Sequence, residues 1–109
     1  MLSKLKAALD ATGYEFTFAS WSHSPESDYG VYMLGGQNEL SADGNSGAEI
    51  ALEGYVDYFT RDASLTPKLK IESALRSLGI SWTLNSVQYE EDGFIHYEWE
   101  WRDVTNGTN

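Results

Sequence analysis

No cysteine occurs in these 109 residues, so disulfides and thiol chemistry are excluded. Bases are scarce as well: 7 Lys and Arg stand against 17 Asp and Glu, a formal charge of −10. A free-standing nucleic-acid binder needs the opposite sign, because phosphate contacts supply most of its affinity. Only two histidines are present, His23 and His96, which limits imidazole base catalysis. No apolar run approaches the ~20 residues that span a bilayer. The first 13 residues carry no long apolar region or cleavage site, so no secretory signal is expected and Met1 reads as a start.

Apolar and aromatic residues are plentiful, at 41% and 14%, enough to build a core and too many for a disordered acidic chain. The length gives one domain over 1–109 as the expectation. The core of so small a domain is modest, which leaves room for help from a second subunit.

The most informative segment is SWTLNSVQYEEDGFIHYEWEWR, residues 81–102. Trp82, Leu84, Val87 and Tyr89 precede the acidic turn Glu90-Glu91-Asp92-Gly93. Ile95, Tyr97, Trp99 and Trp101 follow it at a period of two, which belongs to a strand with one buried face. The odd step from Leu84 to Val87 predicts a bulge at Asn85-Ser86. Upstream, 66–78 is an amphipathic helix. Thr66 suits the N-cap, Leu65 the apolar position before it, Pro67 the first turn, and Gly79 the stop. Ile71, Leu75 and Leu78 supply its apolar stripe.

The remainder follows the same logic. Leu2, Leu5, Ala8 and Leu9 share one helical face and Gly13 ends it. Tyr14, Phe16 and Phe18 alternate as a strand, and 29–34 is a second strand. A third runs over 48–60, with Ile50, Leu52, Val56 and Tyr58 on one face. Glu53, Tyr55, Asp57 and Phe59 take the other. Gly54 marks a bulge or a close backbone approach. Residues 35–47 (GGQNELSADGNSG) read as a mobile loop, of a length that is usually functional. Residues 103–109 read as a frayed tail. The predicted class is α+β, in the order α-β-β-β-α-β-β. It has about five strands in a mixed or antiparallel sheet, with two helices packed on one face.

Five bases, Lys4, Lys6, Lys68, Lys70 and Arg76, fall on the two helices. Alternation throws Glu53, Asp57, Glu98 and Glu100 to the sheet face opposite the apolar one. A monomer with a basic helical side and an acidic sheet side can meet a neighbour head to tail and close a ring.

The search for chemistry yields little. His96 sits mid-strand beside Glu98 and reads as a surface or interface histidine, and His23 lies in a polar turn. Asp43, Asn45 and Glu49 have the wrong spacing and lack the glycine of a calcium loop. Glu90, Glu91 and Asp92 crowd a solvated turn with no pocket to raise a pKa. No phosphate-cradling glycine motif occurs. No catalytic residue, cofactor or metal site is expected.

Several stretches together resemble the small tail-terminator (tail-completion, minor capsid) proteins of long-tailed bacteriophages and prophages. They are the opening helix with Tyr14-Glu15-Phe16, and Val31-Tyr32-Met33 leading to a glycine-rich loop with Ser41-Ala42-Asp43. The long strand 52–59 follows, ending in Thr60-Arg61-Asp62. Last come helix 67–78, Gly79-Ile80-Ser81-Trp82, Tyr89-Glu90-Glu91-Asp92 and the closing aromatic strand. The likeness spans 2–102. It implies a non-enzymatic structural protein of the virion, made in the host cytoplasm and sited at the head-proximal end of the tail. There it forms a ring, commonly six-fold, on the tail tube and meets the head–tail connector. DNA only passes through, and no membrane is involved. On that reading Glu53, Asp57, Glu98 and Glu100 face the bore or a neighbour's Lys68, Lys70 and Arg76. Gln37, Asn38, Glu39, Leu40 and Asp43 belong to a contact arm. The other reading of the residues is a small acidic binding module or inhibitor that occupies a basic site on a host protein.

Overall fold

The computed structural model describes residues 1–19, 27–39 and 49–106. Its elements run α1 (Leu2–Asp10), β1 (Phe16–Phe18), β2 (Tyr29–Glu39), β3 (Glu49–Thr60), α2 (Thr66–Ser77), β4 (Ser81–Tyr89) and β5 (Ile95–Asn106). The strands form one five-stranded sheet in the order β1-β2-β3-β5-β4. β1 pairs parallel with β2, and every other neighbouring pair is antiparallel, so the sheet is mixed. The α+β class and the order of elements agree with the sequence reading.

The backbone of the sheet is the β3–β5 ladder, twelve residues long from Glu49↔Asn106 to Thr60↔Ile95. Alternation sends Val56, Tyr58, Tyr97, Trp99 and Trp101 to one face. There they pack with Leu5 and Leu9 of α1 and Ile71 and Leu75 of α2. Trp99 and Trp101 are fully buried. Each large aromatic removes roughly 150–250 Å² from water, which makes this pair the largest single contribution to the core.

One close approach and two register shifts shape the sheet. A Cβ on Gly54 would run into the Met33 carbonyl oxygen and the Trp101 ring, so only glycine lets Trp101 pack across β3. Register shifts fall between Leu34 and Gly36 in β2 and between Leu84 and Ser86 in β4. The second is the bulge expected at Asn85-Ser86. The first was unforeseen, and Gly54 itself keeps regular pairing.

Three expectations need correction. The glycine-rich loop starts later than the composition suggested: 35–39 continue β2, paired to 50–53 of β3. The tail also starts later, because 103–106 extend β5 against 49–52. Strand pairing has overridden glycine content and polarity at both places, and residues 40–48 and 107–109 lie outside the described ones. Thr66 is the first helical residue of α2, not its cap. Its N–H donates to Ser64 Oγ at 3.3 Å, and the Ser64 N–H donates to Asp62 Oδ1 at 2.8 Å, so a polar turn replaces a Thr cap. Leu65 at the cap position is exposed, not stapled.

The molecule is elongated, 50 × 23 × 20 Å with a radius of gyration of 15.5 Å. A compact chain of this length would have about 13 Å. The register explains the excess. β4 begins at Ser81 opposite Arg102, so the far ends of β2, β3 and β5 run on together beyond β4.

Candidate assembly surfaces

The sheet face turned away from the helices carries the ionisable groups. Along β3 it presents Glu53, Tyr55, Asp57 and Phe59, and along β5 His96, Glu98, Glu100 and Arg102, each pair in direct register. Asp57 stands opposite Glu98, a like-charge juxtaposition that costs a sheet a few tenths of a kcal/mol to about 1. The structure treats the two carboxylates differently. Glu98 Oε2 accepts a 3.4 Å hydrogen bond from Ser86 Oγ at the bulge. Asp57 is only 3% exposed, and its Oδ1 accepts from His96 Nε2 at 2.7 Å. Glu100, fully on the surface, takes a 3.1 Å bond from Asn85 Nδ2. Glu53 pairs with Arg102 Nε at 3.4 Å.

Four acidic residues were expected to be offered outward. Three of them are, but Asp57 is not: it lies beneath His96. That histidine stacks on Phe59 at 4.0 Å, and Phe59 stacks on Tyr29 at 4.5 Å, a column crossing three strands. Glu90 Oε1 of the β4–β5 turn lies 3.7 Å from His96 Nδ1. The imidazole is thus bracketed by two carboxylates. Sequence reasoning placed His96 on the polar face correctly and missed the bracket. Only the register, which sets Phe59 opposite His96, reveals it.

The helical side is equally specific. Lys68 Nζ donates to Glu72 Oε1 at 2.9 Å, Lys70 lies over the Tyr14 ring at 5.5 Å, and Arg76 over Trp82 at 5.5 Å. All three bases are engaged within their own chain. Glu72 is buried, and its other oxygen, Oε2, accepts from Trp99 Nε1 at 3.0 Å. One carboxylate therefore ties α2 to the central tryptophan of β5 while a lysine neutralises it. The signal was available: Glu72 falls between Ile71 and Leu75, inside the apolar stripe.

Burial raises the phenol pKa of Tyr58, with the Asp28 charge as a lesser cause. Burial likewise raises Tyr14, Tyr29 and Tyr97. The hydrogen bond from Ser64 lowers the pKa of Asp62. An open groove of about 320 Å³ lies between α1 and α2, lined by Ala8, Ala11, Thr12, Lys70, Ser73 and Ala74 among others. No cluster of metal-ligating side chains occurs among the described residues. Of the expected contact arm, Gln37, Asn38 and Glu39 form the end of β2, whereas Leu40 and Asp43 lie outside the described residues, as does His23. No helix among the described residues is long and apolar enough to cross a membrane.

These features define a helix-backed mixed sheet with one greasy and one anionic face. No protein-family model matches the chain, and no curated protein does. Solved structures do match. A chain in the virion of a native gene transfer agent particle is similar at a TM-score of 0.51 and 12% identity, over 94% of this chain and 84% of that one. At that identity the likeness is one of fold. A chain of the H-NOX family, solved to probe haem distortion, matches at a TM-score of 0.31 and 18% identity, over 60% of this chain and 33% of that one, too weak to support anything.

Proposed function

We propose that this chain is a structural component of a phage-like virion, and within the virion a tail-terminator protein. The observation that carries the reading is the fold shared, nearly end to end, with a chain of a gene transfer agent virion. The anionic sheet face supports the finer assignment. In this reading copies close into a ring on the head-proximal end of the tail tube, stop its growth and present a surface to the head connector. Glu53, Glu98 and Glu100 line the bore. Like charge keeps DNA from sticking to the wall, over a range of about 8 Å at physiological salt. The chain works as one domain, makes no specific nucleic-acid contact and catalyses nothing.

Disrupting the gene tests this directly. Tails that overgrow, or filled heads that stay unattached, are expected, with rescue by the intact gene. Tails of normal length carrying heads would remove the terminator role. Absence of the chain from purified particles would remove the virion role altogether.

A further inference from the structure

We propose that copies join through the two open edges of the sheet. β4 of one copy pairs antiparallel with the 33–39 end of β2 in the next, staggered by four residues. This inference rests on the ring reading above and specifies its joint.

Among the described residues the edges are open for different reasons. β4 is the last strand of the sheet, and among the described residues nothing pairs with its outer side. At the other end, β1 is three residues long and covers only Gly30 to Tyr32 of β2. Beyond Ala19, whose N–H reaches the Tyr32 carbonyl, the described residues leave 33–39 paired on the β3 side alone. Free edges are normally blunted by charge, proline or shortness. Ser81–Tyr89 is nine residues long and contains no charged residue and no proline, in a chain where 22% of residues are charged. Its one protective device is the bulge at Leu84/Ser86.

Strand polarity makes the edges mutually compatible. β2, β3, β5 and β4 alternate in direction, so β4 runs opposite to β2. A second copy set beside the first in the same orientation therefore presents β2 antiparallel to β4. Every joint then repeats the one before it, as a closed heterologous ring requires.

The exposed apolar residues fix the stagger. Six large hydrophobics are exposed among the described residues, and four of them lie on these edges: Phe18 (51%) and Leu34 (41%) at one, Val87 (39%) and Tyr89 (81%) at the other. All four project on the helix-covered side. Phe18 is level with Tyr32, Leu34 with Gly54 and Trp101, Val87 with Tyr97, and Tyr89 with Ile95. Following the register across the sheet, Val87 is level with Gly30, four pairing steps below Leu34, with the bulge at Gly35 above it. Tyr89 lies two steps below Val87, and Phe18 two steps below Leu34. Sliding the next copy by four residues, about 14 Å at the rise of a strand, therefore sets Val87 against Leu34. The same slide brings Tyr89 to the level of Phe18, where β1 already pairs with Tyr32, so β4 joins the ladder only as far as Val87 and the Tyr89 side chain passes outside Phe18. An even step keeps apolar residues on the apolar face. A stagger of this kind is what tilted strands need in order to close around an axis. The acidic faces of all copies then turn to one side of the wall. Lys68, Lys70 and Arg76 stay in their own helical layers.

The absence of native cysteine makes the test clean. Leu34→Cys and Val87→Cys are placed together in the full chain. A second variant carries Lys70→Cys with Glu100→Cys, which would bridge copies docked helix to acidic face. Circular dichroism checks that both fold. Each is incubated with tail tubes, oxidised mildly and run without reductant. The edge pair is expected to give a covalent ladder ending at one closed size, and each single-cysteine parent no ladder. A ladder from Lys70→Cys/Glu100→Cys with none from the edge pair overturns the edge joint and leaves the ring standing. Rings seen intact on the tubes with neither pair cross-linking overturn the edge joint too. A single copy per tube, with no ladder from either, overturns the joint and the ring together.

Discussion

The two faces of the β3–β5 ladder are made by the same residues counted odd and even, yet they obey different physics. On the helix side Val56, Tyr58, Trp99 and Trp101 are buried in the core, and the buried carboxylate Glu72 has a partner for each oxygen. On the other side Glu98 and Glu100 hold single neutral donors, Ser86 and Asn85. One face is closed, and the other keeps negative charge exposed, which attracts a basic partner and repels a polyanion. Stability therefore resides on one side of the sheet, and the proposed function on the other and at the rims.

The sharpest break of that comparison uses adjacent residues. Trp99→Ala removes the central side chain of the core and strands Glu72. Such truncations cost about 3–5 kcal/mol. Glu100→Ala, one position along, removes an exposed carboxylate and should change stability by no more than about 0.5 kcal/mol. Urea unfolding of the two variants measures the difference. Equal losses would mean that the faces are not divided as described.

A second, smaller contrast is read by pH. Tyr14, Tyr58 and Tyr97 belong to or pack on the helix side, Tyr29 lies in the column on the other, and burial raises all four phenols. Between the unfolded phenol value of about 10 and the higher folded values, the unfolded chain has released protons that the folded chain still holds. Stability is thus intact below pH ~10 and falls as pH rises above it. Tyr58→Phe should remove the largest share of that alkaline loss. Thermal melts across pH 8 to 12 on the parent and Tyr58→Phe show whether it does. An unchanged alkaline slope in the variant would place the titrating groups elsewhere.

Much of this was legible in the chain. Period-two alternation fixed the faces of β3 and β5, and the odd step at Leu84–Val87 located the bulge. Gly54 was marked as a bulge or a close backbone approach, and the structure shows the second, against the Met33 carbonyl. What was not legible depended on register. Gly35 and Gly36 looked like loop because glycine count says nothing about pairing, but β3 offers partners as far as Ile50. Asp103 to Asn106 looked frayed because they are polar, which likewise says nothing about pairing, and β3 again supplies the ladder. Asp57 was assigned to an open acidic face because alternation tells side and not depth. His96, one strand over, covers it. The proposed edge complementarity could not be read at all, since it needs the level of each residue across four strands.

The smallest effect separates charge repulsion from packing on the anionic face. Asp57 and Glu98 are directly opposed, and of the two it is Asp57 that bonds to His96. Glu98→Gln keeps the shape and still offers an oxygen to Ser86 Oγ, but removes the like-charge term. The expected result is a gain of a few tenths of a kcal/mol at low salt, of the size found for opposed like charges in sheets. Glu98 is half-buried at the surface, so the gain should shrink as salt rises and the screening length falls toward ~3 Å at 1 M. Thermal unfolding of the variant and parent in paired salt series reads this directly. A loss of stability would mean that the Ser86 bond outweighs the repulsion. A gain that ignored salt would point to packing, and the face would then be less electrostatic in character than its composition implies.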